Sequence, residues 1–97
     1  MLALAVRQPH ASMVADGRKS IEYRSWGTSH RGDLLIVAAS YVPRLRQHRH
    51  LVRGCALCIV ELIDVVKVEP RLFAWILGFP RLFPTIPVKG RQRLWRV

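Results

Sequence analysis

The run Leu34-Leu35-Ile36-Val37-Ala38-Ala39 constrains the fold more than any other stretch, because it contains no side chain that water could solvate. Successive residues of a strand point to opposite faces, so a strand made from this run must be covered on both. A lone hairpin cannot supply that cover. In a chain of 97 residues with an apolar fraction of 51%, the covering elements belong to the same domain, and one domain spanning 1–97 is expected.

Candidates for those elements follow from the pattern. Leu2 to Arg7 reads as a first strand. Gln8-Pro9 then changes the geometry, since proline suits a helix start, and His10 to Asp16 reads as about two helical turns closed by Gly17. Cys55 to Leu62 reads as a strand that extends to Val68, with Glu61 and Asp64 at exposed or bulged points, and Glu69-Pro70 ends it. Phe73 to Phe79 forms another strand. Pro80, Pro84 and Pro87 space an irregular approach to a closing strand at Leu94-Trp95-Arg96-Val97. Between Pro43 and Arg53 either a short helix or an ordered loop fits. Several short strands, one early helix and no repeat describe an α+β fold: a small mixed β-barrel with one short N-terminal helix and at most one or two further short helices.

Chemistry concentrates in Gly17-Arg18-Lys19-Ser20-Ile21-Glu22-Tyr23-Arg24-Ser25-Trp26. Extended, this stretch puts Ser20, Glu22, Arg24 and Trp26 on one side and Ile21 and Tyr23 on the other, with Lys19 at the turn where the strand begins. Lys19 and Arg24 supply charged donors, Glu22 an acceptor or base, and Trp26 a stacking surface, which suits a planar, polar or phosphorylated ligand. The plainer alternative is a solvated strand face on which Glu22 and Arg24 satisfy one another. Gln8, His10 and Ser12 join the ligand-binding set if the helix folds back on this strand, where its free amides could receive an anion.

Sixteen Lys and Arg against six Asp and Glu give a formal charge of +10, so nucleic acid is the first partner to consider. The stretch Arg44-Leu45-Arg46-Gln47-His48-Arg49-His50-Leu51-Val52-Arg53 has no acid and suits a phosphate-contacting arm; a solvated charged loop is its rival. Arg31, Lys89 and Arg91 join Arg44, Arg46, Arg49 and Arg53 as candidate backbone contacts. A membrane is not an expected partner, because no long apolar run or basic amphipathic helix is present. The apolar start Met1 to Val6 is too short for a signal-peptide core, and a cytoplasmic protein is expected. Cys55 and Cys58 sit at the spacing of redox and zinc motifs, but a strand would splay them to opposite faces, which favours free core thiols. No metal and no cofactor is expected, since His48 and His50 with these cysteines match no standard zinc module. The oligomeric state is open.

In this order the motifs resemble the ASCH family, the activating signal cointegrator homology domains, whose fold is related to the PUA RNA-binding barrels. Gln8-Pro9-His10-Ala11 is similar to the family's entry to its first helix, and Gly17, Lys19, Glu22 and Arg24 stand in its G-x-K-x-x-E-x-R arrangement, continuing into Ser25-Trp26. His30-Arg31-Gly32, Trp75-Ile76-Leu77 and Pro87-Val88-Lys89-Gly90 with Leu94-Trp95 are similar too. Two departures are visible: His10 replaces the usual aromatic, and the segment from Tyr41 to Arg53 is shorter than the helical connection of many relatives. The resemblance implies a barrel with a cleft between the first helix and the barrel, and a role with RNA or nucleotides. It also implies two enzymatic alternatives. One branch resembles an amidohydrolase for N-acetylated cytidine that uses a lysine, a threonine and a glutamate; Lys19 matches the lysine, but Glu22 stands at the threonine position. The other is a ribonuclease in which Lys19 and Arg24 hold phosphate and Glu22 acts as base. An interaction domain that docks an acidic protein is a third alternative, which explains the charge alone.

Overall fold

The computed structural model describes residues 1–97. The apolar run forms most of strand β3 (Gly32–Ala38), which lies inside the sheet between β1 (Leu2–Val6), parallel to it, and β4 (Cys55–Glu69), antiparallel. Both faces of β3 are covered, as its composition demands. Leu34, Ile36 and Ala38 enter the larger core with Leu4, Val6, Val60, Leu62 and Trp75, while Leu35 and Val37 enter a smaller one with Ala3 and Ala56. Phe83, Val88 and Trp95 pack against that second cluster.

The remaining elements are α1 (His10–Ala15), β2 (Ile21–Arg24), β5 (Leu72–Pro87), β6 (Leu94–Arg96) and one 3-10 turn at Arg46–His48. One mixed sheet results, in the order β2-β5-β4-β3-β1-β6. This is the small β fold with a single short helix that the sequence indicates, with a sheet that curls without closing. At six residues, α1 is too short to persist alone. It is held by burial of Ala11 and Val14 and by Gln8, whose Nε2 donates to Ser12 Oγ and to Val52 O, both at 2.8 Å, while Oε1 accepts from the Ser12 amide at 3.0 Å. Gly17 closes the helix with φ +81°, a left-handed conformation that favours glycine. No helix is long and apolar enough to cross a membrane.

Two features differ from the expectation. β5 does not stop at Phe79; it continues past Pro80 and Pro84 to Pro87. Phe79-Pro80 lies between the pairings Glu61 to Gly78 and Ile59 to Arg81, and Pro84 lies between Cys58 to Leu82 and Ala56 to Ile86. At such register breaks a missing amide costs no ladder bond. The second is the cysteine pair, which does not splay. Ile36 pairs with Cys58 and Val37 with Ala56, so Leu57 is an extra residue. That bulge resets the alternation and puts Cys55, Leu57 and Cys58 together in the larger core. Both thiols are free and buried, and burial pushes Cys58 up to about 11.

Candidate nucleic-acid interface

β2 is an edge strand whose one partner is β5, with Ile21 opposite Ile76, Glu22 opposite Trp75 and Arg24 opposite Phe73. The alternation read from the sequence holds: Glu22 points inward and is 8% exposed, while Ile21 and Tyr23 face outward. An acid at an inward position is costly unless opposite charges meet it. Lys19 Nζ lies 2.8 Å from Glu22 Oε1, and Arg24 Nη2 lies 3.1 Å from Oε2. The ion pair with Arg24 is therefore present, but Lys19 is a second partner, so the carboxylate answers two cations. Lys19 Nζ also meets His10 Nδ1 at 2.9 Å; a protonated Lys19 donates there, which requires the neutral imidazole with its proton on Nε2. Arg24 Nη2 continues across to donate to Ala5 O at 2.6 Å, linking the β2 edge to β1 where the sheet does not close.

Beside that link opens a cleft of about 760 Å³, lined by residues of four chain segments. β2 and the turn after it contribute Glu22, Tyr23, Arg24 and Trp26; β1 and its continuation contribute Ala5 and Arg7; Tyr41 follows β3; and Arg91 and Arg93 come from the turn before β6. Four arginines thus face one carboxylate, and that carboxylate is already paired. Of the three aromatic rings in the lining, Tyr23 stays exposed, while Tyr41 and Trp26 each carry a guanidinium. The Arg7 guanidinium lies 3.9 Å from the centre of Tyr41 and that of Arg93 5.0 Å from the centre of Trp26. Trp26 also meets Trp75 edge-on, with centroids 4.9 Å apart at 80°, and its carbonyl accepts from the Trp75 indole at 3.1 Å.

A profile of the ASCH domain matches residues 4–74. The chain belongs to the ASCH domain family. Activating signal cointegrator 1 of Homo sapiens is 38% identical to it over 82 residues, and the Mus musculus protein of the same name is 35% identical over 82 residues. Each alignment covers 66% of this chain but 14% of the relative, so this ASCH chain spans a small part of the length of the curated proteins it matches. The ASCH domain is a PUA-like family associated with RNA binding.

Not all the residues singled out in the ASCH sequence meet at the cleft. Glu22, Arg24, Trp26 and Arg91 line it; Lys19 and His10 stand behind Glu22, outside the lining. Gln8 and Ser12 are engaged with each other and with Val52, fastening α1 to the segment that precedes β4. Arg31 donates to Thr28 O and His30 O and pairs with Asp64 at 3.2 Å. Within the basic stretch, Arg49 folds back on Pro43 O and Arg44 O, and Arg53 is half-buried with one guanidinium nitrogen unbonded. Arg44 and Arg46 stay exposed, as does Lys89 beside the wall formed by Gly90 to Arg93. Sequence reasoning missed Arg7, Tyr41 and Arg93. They are far apart in the chain, and only the pairing of β1 with β3 and β6 assembles them.

Proposed function

We propose that this ASCH domain binds single-stranded RNA, with the cleft taking one or two nucleotides and its arginines contacting the phosphates. One observation carries the proposal: a 760 Å³ opening lined by Arg7, Arg91 and Arg93, whose one carboxylate, Glu22, is already paired with Lys19 and Arg24. Its volume falls in the usual range of ligand sites, and charge with stackable planes is the chemistry that single strands use. A hydrolase would need Glu22 free to take a proton, yet both its oxygens are engaged by cations, and Lys19 lies outside the lining. Docking of an acidic protein would use the charge but leaves the paired aromatic rings unexplained.

The test is fluorescence anisotropy with a labelled single-stranded RNA over a range of salt. Wild type should bind with log affinity falling steeply against log salt. Arg7→Gln/Arg91→Gln should lower the slope by roughly 1.4, about 0.7 for each single-strand phosphate that is no longer neutralised. Arg44→Gln/Arg46→Gln measures the basic stretch in the same way, and an unchanged slope there would remove it from the interface. Release of acetate from acetylated cytidine, or cleavage of the RNA, by wild type but not by Glu22→Gln would replace binding with catalysis.

A further inference from the structure

Two residues other than glycine adopt positive φ in this chain, Phe79 at 52° and Arg93 at 54°. Arg93 closes the short turn from Gly90 that leads into β6, a position whose left-handed backbone suits glycine or asparagine. A long cationic side chain there has its use in where it is delivered. The conformation brings its guanidinium over Trp26, 5.0 Å from the ring centre, in the wall of the cleft. Pairing of Leu94 with Leu4 begins at the next residue and anchors the turn from behind.

This placement changes what Trp26 can do. Its ring is packed edge-on against Trp75 and carries Arg93 above it, so the surface beneath the guanidinium is occupied. A base entering there meets Arg93. Guanidinium planes stack on bases as aromatic rings do, and a guanidinium over an indole is held in place without losing its charge. We propose that Arg93 is a stacking platform of the cleft, taking an unpaired nucleobase of single-stranded RNA on the guanidinium that Trp26 supports. The assignment rests on the RNA-binding function proposed above and adds the ligand's chemical class, an unstacked base rather than a backbone phosphate alone, and the residue that contacts it.

Charge and plane are separated by Arg93→Lys, which keeps the first and removes the second. Wild type, Arg93→Lys and Arg93→Gly are titrated with a single-stranded RNA hexamer and with the same hexamer made abasic at all positions, and each protein is melted. Arg93→Lys should bind the RNA about tenfold more weakly with its salt slope unchanged, and bind the abasic strand within about twofold of wild type. Arg93→Gly should lose at least as much RNA affinity while melting no lower than wild type, because glycine accepts the left-handed turn. Equal binding of RNA by Arg93→Lys and wild type would reduce Arg93 to a point charge and overturn the proposal. A several-degree fall in the melting point of Arg93→Gly, with Arg93→Lys binding normally, would make the contact with Trp26 purely structural and overturn it too. Failure of wild type to bind the RNA hexamer at low salt would instead strike the RNA-binding function itself.

Discussion

Glu22 holds three cationic or neutral groups in order: Lys19 on one oxygen, Arg24 on the other, and His10 behind Lys19. Removing its charge leaves two cations facing each other with no acid between them, since no other carboxylate lies in the cleft lining. Glu22→Gln should therefore lower stability. Full burial would put the loss at about 3–5 kcal/mol, but Lys19 and Arg24 keep 18% and 24% of their side chains exposed, so screening reduces it to about 1–3 kcal/mol. For a domain of this size that is a drop on the order of 10 °C in melting temperature. RNA affinity should move the other way and tighten at low salt, because the internal counter-charge is gone. Calorimetric melting alongside anisotropy checks both signs; loss of stability together with loss of binding would mean that the two cations are misplaced rather than released.

Gln8, just before α1, ties that helix to the segment between Tyr41 and Arg53. Gln8 is 4% exposed, makes three hydrogen bonds, and is what fastens Val52 to the start of the helix. Gln8→Ala would leave the Val52 carbonyl and the Ser12 amide without their partner, at a cost of about 1–3 kcal/mol. Hydrogen exchange should quicken at the amides of α1 and of residues 41–53, with the sheet amides unaffected. The salt slope of RNA binding should stay at its wild-type value, because Gln8 does not line the cleft. A changed slope with unchanged exchange would return Gln8 to the ligand-binding set in which its sequence position places it.

At the scale of the molecule, an unclosed sheet leaves room for the cleft while the core seals the thiols. Cys58 is fully buried in the larger core, and desolvation pushes it up to about 11. A thiol whose proton is held more tightly when folded contributes stability that is complete below the ordinary thiol range and is lost as pH rises through the folded value. The loss should therefore run from about pH 9 to about 11 and amount to roughly 2–3 kcal/mol. Cys58→Ala, compared with wild type by urea unfolding from pH 7 to pH 11, should show a flatter decline. Alkylation of the native protein near neutral pH should be as slow as global opening, because neither buried thiol presents a thiolate.

Local pattern was enough to determine that β3 is covered on both faces, that α1 starts after Gln8-Pro9 and ends at Gly17, and that Glu22 and Arg24 share a side of β2. Each depends on residues within a few positions of one another, where strand and helix periodicity act directly. The expectation failed where one inserted residue resets that periodicity: Leu57 turns Cys58 to the same side as Cys55, and the register breaks in β5 let the strand run on past Pro80 and Pro84. A bulge depends on what the neighbouring strand demands, so it has no signature in its own segment. The cleft lies further still from local reading. Arg7, Tyr41 and Arg93 share a cavity with Glu22 because β1 is parallel to β3 and antiparallel to β6, and because the sheet stops short of closing at Arg24. Sequence by itself determined the elements and the charged face of β2; tertiary structure alone decided which distant arginines complete that face, since long-range strand pairing, and not spacing along the chain, sets their distance.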